Sequence, residues 1–412
     1  MMHRRQEKAD TPRAGRSTAS ARPVFFLLVW MALALAAGCG DRTAPTQNAS
    51  APQNGDGVVR AAAQRQLDYE VFSTGDLEDK TRLADLAIIQ SLRQNGLSED
   101  DLRLEDIRMN SAQGERYHFQ ILRLLRNETF DAFIDTLSGA LASRLPSAVV
   151  FRPEDGGAYI LLDKIPTHQL LPPSAPEVSP APEQTNATKA PAPRGRLAIV
   201  IDDLGEDLQL ARGLANLPAS ISFSIWPRSS HAKETAALAA SRGRDILVHQ
   251  PMEPHGYPKV NPGPNALMVG MTRQEIENIL DDSISRAPGA KGMNNHMGSK
   301  FTEWGPGMKV VLQRLRDKGF YFLDSLTTAQ SVGGAEARRA GTAFCRRSVF
   351  LDNTAETQAI LHQLKKVQRL AEREGSAIAI GHPHPATLEA LTLWLQSLPP
   401  DVEVVGVSQL AH

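Results

Sequence analysis

The sequence predicts a parallel α/β barrel joined to a small α+β domain, and three observations point to that fold class. Short apolar runs with strand character recur through residues 196–412, with helical stretches between several of them. Polar residues rich in Asp and His stand directly after those runs. A proline- and alanine-rich stretch, residues 166–195, separates this region from an earlier one whose elements follow a different order.

The chain of 412 residues carries 45 basic and 46 acidic side chains, which suits two or three ordinary domains. The balanced charge, with no basic stripe interleaved with aromatics, argues against nucleic acid as a partner. Two cysteines, Cys39 and Cys345, exclude a disulfide framework and a cysteine-rich zinc site. Cys345 reads as a small buried residue.

Residues 1–39 read as an export segment. Arg4, Arg5, Lys8, Arg13, Arg16 and Arg22 precede the apolar stretch VFFLLVWMALALAA, which is shorter than the ~20 residues that span a bilayer. The following LAAGC resembles the lipobox of bacterial lipoproteins, with Ala36 where leucine is most usual. That resemblance implies a lipid anchor on Cys39 and a periplasmic chain, and Gly40 after the cysteine favours the outer membrane. Residues 40–64 have no periodicity and read as a tether.

Residues 65–165 read as the small α+β module. The spacing predicts a helix over 79–96, strands around a turn at Gln113-Gly114, a second helix over 129–145, and a hairpin turning at 154–157. The order helix, hairpin, helix, hairpin predicts an internal duplication. No catalytic constellation stands here, so binding or assembly with a protein partner is the expectation. Residues 166–195 cannot bury a core and read as an extended linker.

From residue 196 the candidate strands are LAIVI, ISFSI, DILV, a short one near 291–294, FYFL, SVFL, AIAI and VEVV. A capping box runs from Thr272 to Glu275, and Gly375 stops the helix ETQAILHQLKKVQRLAEREG. Seven or eight such units suit a barrel better than an open sheet. The polar residues at the strand ends then share one rim, where active sites of such barrels form. They are Asp202-Asp203, His249, Asn294, Asn295, His296, Asp324-Ser325, Asp352-Asn353 and His382. Asp100-Asp101 and Asp281-Asp282 repeat the acidic pair in polar, helix-like contexts where solvent suffices. Only Asp202-Asp203 closes a run covered on both faces, where adjacent carboxylates repel unless positive charge joins them.

VIDDLG, VHQPMEP, GMNNHMGSKFT, FYFLDSLT, VFLDN and IAIGHPHPAT are similar to the motifs of the divergent polysaccharide deacetylase family, over about residues 196–410. The resemblance implies a distorted (β/α)7-type barrel in which Asp202 is the general base, Asp203 and His249 bind a divalent metal, and His382 is the general acid. The family's second metal histidine, four residues after the first, is Glu253 here. His296 is the candidate for the missing ligand, Glu253 and His255 stay open as ligands, and Asp324 is placed to orient His382.

Two imidazoles and a carboxylate form a common arrangement for zinc that leaves positions open for water and substrate. Asn295 and Trp226 are the expected substrate contacts, with Trp304 near the same rim; half-buried packing is the alternative for both tryptophans. Asp352 reads as a loop cap, and His231, His255 and His384 as structural or substrate contacts. The expected activity is removal of N-acetyl groups from an envelope glycan such as peptidoglycan. The alternative is an inactive metal- or glycan-binding barrel acting in an envelope assembly. A glycosidase fits poorly, since sequence-adjacent carboxylates do not flank a scissile bond.

Overall fold

The computed structural model describes residues 76–126, 130–153, 156–173 and 195–412. The export segment, the tether and most of the linker lie outside these residues, as does Cys39. No helix among the described residues is long and apolar enough to cross a membrane.

The first helix, α1 (Asp76–Gln94), buries Thr81, Ala84, Asp85, Ile88 and Leu92, one stripe at helical spacing. Gly96 ends it in the left-handed region, where Leu97 N–H reaches back to the Leu92 carbonyl. β1 (Leu102–Ala112) and β2 (Glu115–Leu124) then pair antiparallel around Gln113-Gly114, both at positive φ, as a tight hairpin demands. α2 (Phe130–Arg144) buries Phe130, Phe133, Ile134, Leu137 and Leu141.

β3 (Ala148–Phe151), β4 (Ala158–Leu162) and β5 (Ile165–Leu171) complete a sheet of order β1-β2-β5-β4-β3. β5 pairs parallel with β2 and falls in the stretch where the sequence predicts linker. This third strand makes the second half longer than the first, so the two halves do not repeat strand for strand.

The second sheet is wholly parallel. Its strands are β6 (Gly195–Leu204), β7 (Ser222–Ile225), β8 (Ile246–Met252), β9 (Gly292–Met297), β10 (Tyr321–Asp324), β11 (Phe344–Arg346), β12 (Val349–Phe350), β13 (Ser376–Gly381) and β14 (Val402–Val405). Their order is β11-β10-β9-β8-β7-β6-β13-β12, with β14 beside the start of β6. Helices α3 (Leu208–Ala215) to α9 (Pro385–Gln396) connect them, giving the expected α/β barrel. All eight expected strands form, and the three-residue β11 is an addition.

LAIVI is apolar at every position because both of its faces are covered. Leu197, Ile199 and Ile201 join the core shared with the helices, while Ala198 and Val200 join an inner cluster with Leu247, Leu323, Ile378 and Ile380. Cys345 lies in that inner cluster, and burial pushes its thiol up.

The curled sheet has a seam, since no ladder joins β11 to β12. Arg347 stitches it. Its Nε and Nη2 donate to the carbonyls of Ser325 (2.7 Å) and Leu326 (3.0 Å), and its guanidinium lies 3.8 Å from the centre of the Phe350 ring.

A buried polar cluster fixes the first sheet and its helices to α8 (Thr357–Glu374). Lys366, 1% exposed, places Nζ 3.6 Å from Asp85 and 3.9 Å from Glu78. Asp85 also accepts from Gln120 Nε2 at 2.7 Å and from His168 Nε2 at 2.9 Å. Burial opposes its charge, but Lys366 and the hydrogen bonds hold the carboxyl well below the ordinary range. Removing one partner of such a cluster strands the others. Lys366→Met should therefore lower unfolding free energy by about 3–5 kcal/mol, read from urea denaturation.

Candidate metal centre and catalytic rim

Alternation along a strand would aim Asp202 and Asp203 at opposite faces. Two local features bring them to one site. The pairing of β6 with β7 shifts register between Ile201 and Leu204, and Asp203 stands at φ +52°. A left-handed aspartate costs about 1–3 kcal/mol and clusters at functional sites. Gly205 follows at φ +126°, where a Cβ would collide with Ser229 Oγ, so only glycine carries the chain out of the strand.

Three donor atoms then converge. Asp203 Oδ1 lies 3.1 Å from His249 Nε2 and 3.0 Å from His296 Nδ1, and those nitrogens are 3.1 Å apart. Both Asp203 oxygens are buried, and the two imidazole nitrogens are the polar groups that face Oδ1. Burial raises the Asp203 pKa, but His296 and His249 beside it hold the carboxyl well below its ordinary range. Burial lowers that of His249, and Asp202 and Asp203 more than offset this, raising it.

This donor set fits a divalent ion. Bond lengths of about 2.0–2.2 Å to donors about 3 Å apart subtend an angle near 90° at a shared ion, which leaves its other side open. The asparagine before the predicted contact completes the arrangement. Asn294 Oδ1 accepts from His249 Nδ1 (3.0 Å) and Ser224 Oγ (2.6 Å), while its Nδ2 donates to both Asp202 oxygens (2.8 and 3.0 Å). With its proton on Nδ1, His249 turns the Nε2 lone pair toward Asp203 and His296.

His382, at the end of β13, places Nδ1 2.8 Å from Asp352 Oδ1. Asp352 Oδ2 accepts from Thr387 Oγ1 at 2.8 Å, so the carboxylate is held in turn. Burial alone would lower the His382 pKa; the Asp352 carboxylate, with Asp203 and Asp202 beyond it, raises it to about 9. Asp352, His382 and His384 also form a second group with metal-ligand spacing. Here, however, Asp352 and His382 already satisfy one another.

Asp324 does not orient His382. Its oxygens accept from Leu326 N (2.9 Å) and Ser331 Oγ (2.8 Å), which shapes the loop after β10. Asp352 takes the role because β12 lies beside β13, whereas β10 lies at the far side of the sheet. Asn295 is buried and points away from His296. It accepts from Ser325 N and donates to the Met297 carbonyl, so its amide ties β9 to the β10 loop.

Trp226 stacks on His296, with ring centres 6.0 Å apart, and backs that candidate ligand. Trp304 packs edge-on against Phe301. Glu253 is no ligand: it accepts from Lys300 Nζ and Val269 N, both at 2.6 Å. His255 faces Glu303 at 3.0 Å.

The strand ends of one parallel α/β barrel thus carry an Asp-His-His group beside an Asp–His pair. The family described as divergent polysaccharide deacetylase matches residues 199–411, and the chain belongs to that family. It is similar to YibQ of Escherichia coli K12, 39% identical over 226 residues that make up 55% of this chain and 70% of that protein. A protein of Haemophilus influenzae KW20 Rd is 37% identical over 217 residues, 53% of this chain and 77% of its own. Among solved structures, ATU2773 from Agrobacterium tumefaciens C58 superposes with a TM-score of 0.51 at 27% identity, covering 54% of this chain and 92% of that one.

Two outcomes are expected. Asn294→Ala frees His249 to rotate and change tautomer, and should weaken zinc binding about 10–100-fold by competition with a chelator. The raised pKa of His382 means that its pair with Asp352 stabilises fully below about pH 6.5. That stabilisation is lost as pH rises through about 9. Urea midpoints should fall across that window in the wild type and change less in Asp352→Asn.

Proposed function

We propose that the chain is a metal-dependent amide hydrolase that removes N-acetyl groups from a glycan of the cell envelope. The observation that carries this reading is the pairing of a buried Asp203-His249-His296 group with a separate, charged His382 on the same rim. Zinc held by the three donors would supply Lewis acidity toward the amide carbonyl and the attacking water. The other steps belong to side chains.

Asp202, held by Asn294 beside the donors, takes the proton from the attacking water. His382, protonated at neutral pH and fixed by Asp352, donates a proton to the departing amine. The two adjacent aspartates thus divide the work, one binding metal and the other moving a proton. The export segment and the lipobox-like Cys39 support an envelope substrate and a periplasmic, lipid-anchored chain, and residues 76–173 offer a surface for a protein partner.

A second reading, a barrel that binds metal or glycan without turnover, draws on the enclosure of the rim. Asp202, Asp203, His249, His296 and His382 are 2, 4, 2, 5 and 7% exposed. The hydrolase reading expects acetate release by the zinc-loaded protein from peptidoglycan or chitooligosaccharides. Asp202→Asn should lower kcat/KM by about 10²–10⁴. Full zinc occupancy with no acetate from any glycan would favour the second reading. Because His382 must be protonated to act, activity should fall on an alkaline limb. Zinc beside Asp203 offsets one carboxylate that raises the His382 pKa, so that limb should lie below the metal-free value of about 9 and move lower still in Asp352→Asn.

A further inference from the structure

A cleft of about 600 Å³ opens between α1 and the ends of β12 and β13. Leu83, Leu86 and Ile89 of α1 form one wall, bordered by Asp79, Arg82 and Asp85 of the same helix, and Phe350 and Ala359 belong to the other; the surface open to the cleft is mostly apolar. Asp352, His382 and His384 form its polar end, so the proposed general acid stands where the cleft meets the rim. Leu83 is left 41% exposed there, a large apolar side chain with nothing packed over much of it. The Asp85–Lys366 cluster fixes α1 to α8, so both walls are held in place without a ligand. The family match begins at residue 199, so the α1 wall comes from outside it.

A large apolar pocket with a few convergent polar groups is the ordinary form of a small-molecule site. A bare sugar would meet the leucines of this one poorly. We propose that the cleft seats an alkyl chain carried by an amino-sugar substrate, with the amide nitrogen toward His382. The assignment rests on the hydrolase reading for the identity of the reacting group. It makes α1 a determinant of substrate choice, since Leu83, Leu86 and Ile89 would cover the chain. That chain reaches the cleft either as a long acyl group on nitrogen or as an alkyl group on the anomeric oxygen.

The test uses the full zinc-loaded protein and three probes: N-acetylglucosamine, its octyl glycoside, and N-octanoylglucosamine. Calorimetry should show at least one octyl-bearing probe binding at least about tenfold tighter than N-acetylglucosamine, since each buried methylene adds to affinity. The preferred probe identifies where the chain is attached. Leu86→Trp, which fills the cleft, and Leu83→Glu, at a tolerant exposed position, should both bring that ratio toward one. Equal affinity for all three probes would overturn the assignment, as would a preference unchanged in both variants. A preference without amide turnover defeats the hydrolase reading and leaves the cleft a binding site; acetamide turnover without preference defeats the cleft alone.

Discussion

Two carboxylates and two imidazoles are buried together at the end of β6, and the rim is organised around making that tolerable. Like charges of Asp202 and Asp203 cannot be buried side by side without compensation. Asn294 satisfies Asp202 with its amide nitrogen and His249 with its amide oxygen. Asp203 has no such amide, and its charge faces the two imidazoles. That imbalance is what a divalent cation would correct. The positive φ at Asp203 and the register shift beside it are the backbone's contribution, turning a side chain that alternation would send elsewhere.

Most of the barrel was legible because parallel strands covered on both faces must be apolar throughout. LAIVI and AIAI declare themselves in this way, and polar residues immediately after them fall on one rim by topology. β11 was not legible: three residues, Phe344–Arg346, carry too little pattern to separate from a loop. Period-two alternation was available to sort the site residues and ranks them differently from sequence position. Asn294 and His296 share a face and Asn295 takes the other, so the functional amide is the first of the pair. The partner of His382 required strand order. Asp324 and Asp352 look alike as strand-end aspartates, and only the adjacency of β12 and β13 chooses between them. The loss of the second motif histidine pointed to His296, and the structure places that ring with Asp203 and His249.

The α+β module carried no catalytic signal in its sequence, since its contribution lies in docking. Asp85, an ordinary helix residue by spacing, is buried against Lys366 of α8. That contact sets α1 beside the strand ends of the barrel, where its leucines wall a cleft ending at His382. A helix outside the family's matched residues thereby borders the family's rim.

The central claim is that Asp203, His249 and His296 form a single metal centre. Crystals of the chain soaked with zinc and measured at the zinc absorption edge address it most directly. An anomalous peak about 2.0–2.2 Å from Asp203 Oδ1, His249 Nε2 and His296 Nδ1 is the predicted result. A peak at Asp352, His382 and His384 instead, or no ordered zinc on the rim, would contradict it.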